Sequence, residues 1–155
     1  MNALSNISNN PSNWYVVTDQ VMGGKSELQV SVDGGVFSLN GYVTTENNGG
    51  FVRLAHSPEN VDKEVQGIRF MAKGNNETYE VHVTMQGLRM PPWAYHSSTF
   101  DVNTEWKMFE INFSDFEKKS GVSAKLRPNN IRDISFAGYG RDFDVDLQVK
   151  EISFY

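Results

Sequence analysis

Tyr79-Glu80-Val81-His82-Val83-Thr84-Met85-Gln86 alternates apolar and polar side chains along its whole length. Successive side chains of a β-strand point to opposite faces of a sheet, so this stretch has one face for a core and one wetter face. The same period recurs on both sides of it. Leu28, Val30 and Val32 alternate with Gln29 and Ser31, and Ile68, Phe70 and Ala72 alternate with Arg69, Met71 and Lys73. Phe109, Ile111 and Phe113 alternate with Glu110 and Asn112, and Phe143, Val145, Leu147 and Val149 with Asp144, Asp146, Gln148 and Lys150. Turn chemistry separates the runs: Asp33-Gly34-Gly35, Asn47-Asn48-Gly49-Gly50 and Gly74-Asn75-Asn76. Short strands at this spacing, joined by polar turns, predict an all-β antiparallel jelly-roll sandwich.

Two irregularities qualify the pattern. Ser114-Asp115-Phe116-Glu117-Lys118-Lys119 reads as one short helix over 114–119, with Ser114 as cap and Glu117 completing a capping box. Near the C-terminus the apolar phase slips by one residue: Val149 is on one phase, Ile152 and Phe154 on the other. A β-bulge or a change of sheet is expected near Lys150-Glu151. Residues 1–13, rich in Asn and Ser, read as a flexible lead-in to one domain over 14–155.

Composition excludes several classes of function. The 155 residues carry 14 basic and 19 acidic side chains, with no basic block to follow a phosphate backbone. Nucleic acid and an anionic membrane surface are therefore poor partners. No cysteine is present, which removes disulfides, thiolate metal sites and thiol catalysis. No apolar run approaches the ~20 residues of a membrane span, and no signal or transit pattern is visible, so the expected compartment is the cytoplasm.

Few residues suggest chemistry. His56, His82 and His96 lie in separate segments without ligand spacing, and solvent-facing positions on alternating strands explain them. Asp142, Asp144 and Asp146 share one side of a strand, a spacing that could hold calcium but equally suits a solvated face opposite Phe143, Val145 and Leu147. Asp19-Gln20-Val21-Met22-Gly23-Gly24-Lys25-Ser26 is not a phosphate loop, because the spacing is wrong and no helix follows. Its simplest role is a tight turn capped by Asp19 and Ser26. Around Pro91-Pro92 gather Leu88, Arg89, Met90, Trp93 and Tyr95. These types suit a protein interface or a sugar-stacking platform, and Trp93 could equally plug one end of the sandwich.

The loop Asp-x-Val-Met-Gly-Gly-x-Ser, here Asp19, Val21, Met22, Gly23, Gly24 and Ser26, resembles the signature of the complex I intermediate-associated protein family, thirty-kilodalton type. Gly49-Gly50-Phe51, Gly67-Ile68-Arg69-Phe70 and Ile111-Asn112-Phe113 are similar to further segments of that family. So are Trp106, Asp115-Phe116 and the terminal Phe143, Leu147 and Ile152. The likeness runs from about Trp14 to Tyr155. The family pattern has an arginine four residues after the Gly-Gly-Phe aromatic, where this sequence has Ala55; Arg53, on the same strand face, is the candidate substitute.

The resemblance implies a galactose-binding-like fold and a chaperone-like, non-enzymatic role in assembling a respiratory complex. Its partner would be a protein, such as a respiratory-complex subunit, with no cofactor and no metal. On this reading Asp19, Met22, Gly24, Ser26, Phe51 and Arg53 lie near one end of the sandwich, with Arg89, Trp93 and Tyr95 as further anchors. The alternative is a carbohydrate-binding module. It would use Trp93, Tyr95 and Tyr139 with the polar strand face of Glu80, His82, Thr84 and Gln86. An enzyme built on the Asp142, Asp144 and Asp146 row comes last.

Overall fold

The computed structural model describes residues 13–59, 61–86, 95–119 and 126–155. Two antiparallel sheets face each other. The first joins β1 (Trp14–Thr18), β4 (Phe51–His56), β10 (Ile131–Tyr139), β6 (Thr78–Met85), β7 (Tyr95–Asp101) and β9 (Glu117–Lys119), in that order. The second joins β2 (Glu27–Asp33), β3 (Val36–Val43), β11 (Phe143–Phe154), β5 (Gly67–Gly74) and β8 (Lys107–Asn112). The expected all-β jelly-roll sandwich is therefore what the chain adopts.

Alternation decides which side chains meet between the sheets. Phe37, Leu39, Phe70, Val81, Val83, Ile134, Phe136, Leu147 and Val149 are all buried there. Each fully buried side chain of this size contributes roughly 1.5–3 kcal/mol. Phe70 meets Phe136 edge-to-face, with centroids 4.9 Å apart. Trp14 lies against His56 at 4.8 Å.

The turns follow the sequence. Asp33 pairs with Val36 across Gly34-Gly35, and both glycines take positive φ, as a two-residue primed turn requires. The phase slip is a bulge: Lys150 pairs with Met71, but Ser153 pairs with Arg69. Glu151 is the inserted residue, at φ 53. Beyond it, Ile152 and Phe154 return to the core.

Two expectations fail. No helix spans 114–119; a 3-10 turn at Phe113–Asp115 gives way to β9. Asn112, not Ser114, caps that turn, accepting from the Ser114 amide at 2.9 Å. Phe113 and Phe116 both face the interior, and Glu117 is held opposite Ser97 as strand. Tertiary burial and ladder pairing outweigh a one-turn helical signal. The histidines are not solvent-facing either, since His56, His82 and His96 are all buried.

Candidate functional site

The outer face of the six-stranded sheet carries the main cleft, about 560 Å³ in volume. Strand register decides which side chains reach it, and Ala55 is the small one in its lining. Ala55 on β4 lies opposite Ser135 on β10, and Arg53 lies opposite Ala137. These residues are on the outward phase, opposite Leu54, Ile134 and Phe136. Larger groups stand around the floor: Tyr15, Phe51, Arg53, His82, Tyr95 and Tyr139.

The aromatic wall is tightly ordered. His82 stacks on Tyr95 at 4.4 Å between centroids, and Tyr139 meets His82 edge-on at 5.3 Å. His82 Nε2 is bonded to Glu80 Oε1 at 2.7 Å. Burial lowers the pKa of His82, although the Glu80 hydrogen bond works the other way. Burial also raises the Tyr95 hydroxyl pKa, with a hydrogen bond to Tyr139 adding to it.

Arg53 differs from the paired arginines. Arg69 binds Glu110, Arg132 lies against Asp133, and Arg141 binds Glu77. Arg53 makes no ion pair with any described residue, and its buried Nε has no acceptor. Its guanidinium lies over the Phe51 ring, 4.8 Å from the centroid. Burial pushes its pKa below the usual arginine value, outweighing the attraction of Asp133. The nearby carboxylates are already engaged. Asp133 Oδ1 accepts from Thr84 Oγ1 at 2.6 Å, Asp133 Oδ2 faces Arg132, and Glu80 holds His82.

The Asp19–Ser26 loop forms the rim, and it divides into two parts. The polar part is a lock. Asp19 is fully buried. It accepts from the Ser26 amide at 2.9 Å, the Ser26 hydroxyl at 2.6 Å and the Gly50 amide at 2.7 Å. Burial alone would raise its pKa; these hydrogen bonds prevail and lower it. The Ser26 hydroxyl in turn binds the Thr44 backbone on both sides. Any Cβ at Gly24 or Gly49 would lie 2.5 Å or 2.4 Å from an Asp19 side-chain atom, so the carboxylate fills the space those glycines leave. The apolar part is a display: Val21 and Met22 are 76% and 60% exposed at the mouth of the cleft.

The sequence residues therefore separate by role. Met22, Phe51, Arg53 and Tyr95 line the cleft, whereas Asp19, Gly24 and Ser26 hold its rim together. Arg89 and Trp93 lie outside the described residues. Tyr95 is a strand residue in the cleft wall, not an exposed anchor. His82, Thr84 and Tyr139, considered for a sugar face, also line this cleft. Tyr15 and Asp133 escaped notice, and Ala55 was noted only as a departure from the family pattern. The signal for them was the outward phase of β1, β4 and β10, which becomes legible only once strand neighbours are known. Elsewhere, Asp142, Asp144 and Asp146 are exposed on the solvated side of β11 and the turn before it. Among the described residues no three His, Asp or Glu side chains converge as metal ligands.

Comparison with known proteins places this arrangement. The family model "Complex I intermediate-associated protein 30" matches residues 5–149. The chain belongs to that family.

No curated protein matches by sequence. Among solved structures, a family 11 carbohydrate-binding module from a cellulosomal cellulase of Clostridium thermocellum superposes with a TM-score of 0.78. It is 18% identical, and the match covers 92% of this chain and 86% of that one. The module from the same organism described in complex with a β-1,3-1,4-mixed-linked tetrasaccharide gives 0.76 at 18% identity, covering 92% and 88%. A family 30 carbohydrate-binding module of another C. thermocellum cellulosomal cellulase gives 0.64 at 13%, covering 92% and 91%. At these identities the likeness is one of fold.

Proposed function

We propose that this family member is a non-catalytic interaction domain of the assembly-factor type, which docks a partner protein at the cleft of the six-stranded sheet. One observation carries the reading. A buried carboxylate locks the rim loop, and the result is two exposed apolar side chains, Val21 and Met22, at the cleft mouth. Exposed Met beside Arg and Tyr is the composition of a protein interface. A respiratory-complex subunit is the partner that family membership suggests.

The test is affinity capture from source-cell lysate, membranes included, read by quantitative mass spectrometry. Wild type runs beside a Val21→Ser, Met22→Ser variant, whose changes lie on exposed side chains and leave the Asp19 lock intact. Subunits of one complex enriched only by wild type are the expected result. Equal enrichment by both proteins removes the rim from the interface.

A second reading has its own observation. Tyr15, Tyr95 and Tyr139 line the same cleft, and rings flanking a groove suit sugar binding, as in a carbohydrate-binding module. Saturable binding of a neutral glycan on an array, lost in Tyr139→Ala, would put this reading first.

A further inference from the structure

Within the docking reading, the cleft also indicates what the partner must bring. We infer that the cleft receives an acidic side chain, Asp or Glu, of a partner protein, seated on the Arg53 guanidinium and flanked by apolar residues against Val21 and Met22. The argument rests on which groups are already satisfied. Arg69, Arg132 and Arg141 each have a carboxylate partner in the fold. Arg53, half-buried in the cleft, has none among the described residues. The carboxylates near it are committed to Thr84, Arg132 and His82. A partly desolvated cation without a counter-charge is costly, and an arriving carboxylate removes that cost. Carboxylate geometry matches a planar guanidinium fork, which can bind both oxygens at once.

The surroundings favour a protein over another acid. Ala55, a small side chain in the cleft lining, leaves room beside Arg53 for a side chain to lie across it. The rim presents Val21 and Met22, which a uronic acid chain would leave largely unused, whereas apolar neighbours of an acidic residue would cover them.

The experiment uses short amidated peptides with a central Glu or a central Gln and randomised apolar flanks, titrated against the whole chain. Amidation leaves the Glu side chain as the only carboxylate. Glu peptides are expected to bind wild type about tenfold tighter than their Gln counterparts. In Arg53→Met that preference is expected to vanish, and in Arg53→Lys to weaken. The Glu-to-Gln comparison on wild type needs no protein variant, so a folding defect cannot mask the answer.

Equal binding of Glu and Gln peptides, lost in Met22→Ser, overturns the acidic anchor and leaves the docking reading standing. An unchanged Glu preference in Arg53→Met moves the anchor away from Arg53. No peptide binding up to about 1 mM overturns both readings. Binding of oligogalacturonate in place of any peptide, abolished by Arg53→Met, assigns the cleft to acidic glycans instead.

Discussion

Asp19 and Arg53 are two charged residues a short distance apart in the fold, with opposite relations to it. Asp19 accepts hydrogen bonds from Ser26 and Gly50, and removing its carboxylate would orphan those buried donors. Each buried group left without a partner costs roughly 1–3 kcal/mol. Asp19→Ala should therefore lower stability by about 3 kcal/mol or more. Arg53 has no partner to orphan. Arg53→Met keeps much of the volume and removes a poorly solvated charge, so it should raise stability by about 1 kcal/mol. Urea unfolding of both variants beside wild type checks the pair. A destabilised Arg53→Met would mean that the guanidinium is paired within the fold in solution. The sequence already marked Asp19 through its motif and Arg53 through its position after Gly-Gly-Phe. It could not say that one closes a loop and the other faces a cleft, because that depends on the β3–β4 turn reaching Asp19.

At the scale of elements, period-two alternation was enough to place β2, β5, β6, β8 and β11 and even the C-terminal slip. The bulge absorbs Glu151, so that Ile152 and Phe154 stay buried beyond it. Deleting Glu151 restores a regular ladder that keeps both side chains on the inward phase of Val149, whereas carrying Glu151 through a regular ladder would turn both outward. Two lost apolar side chains correspond to about 3–6 kcal/mol. Deletion is therefore expected to keep cooperative thermal unfolding, seen as a retained near-ultraviolet circular dichroism signal. Loss of that signal in the deletion variant would mean that the bend at the bulge, and not the phase alone, seats Ile152 and Phe154. The 114–119 segment was illegible for a related reason. Its capping box is a local signal, whereas β9 exists because β7 offers a free edge at Tyr95–Ser97. Edge pairing of this kind connects residues far apart in the chain and leaves no local pattern.

For the whole molecule, buried titratable groups set the response to acid. Burial lowers the pKa of His56 and His82 below the ordinary 6.5, so the folded state resists protonation that the unfolded chain accepts. Stability is fully present above about pH 6.5 and falls below it, by about 1.4 kcal/mol per pH unit for each histidine until its folded pKa is reached. Asp19 acts in the same direction at lower pH. Its pKa is held below 3.8, so its contribution persists above that value and is lost as pH falls through the folded pKa. Melting temperature against pH should therefore descend in two stages, and His82→Gln should flatten the first. A melting temperature constant from pH 7 to pH 5 would contradict the burial of both rings. The histidines were misjudged from sequence because alternation gives the side of the sheet, not whether that side is covered. His82 is on the outward phase yet lies beneath Tyr95 and Tyr139.

The Asp19 lock has one more consequence for the molecule as a whole. Its single carboxylate ties the β1–β2 loop to the β3–β4 turn, so the cleft mouth has no hinge of its own. Whatever binds meets an aperture of fixed width and must supply the adaptation itself. Recognition then becomes a rigid-body encounter limited by collision and orientation, not a gated one that waits for a door to open.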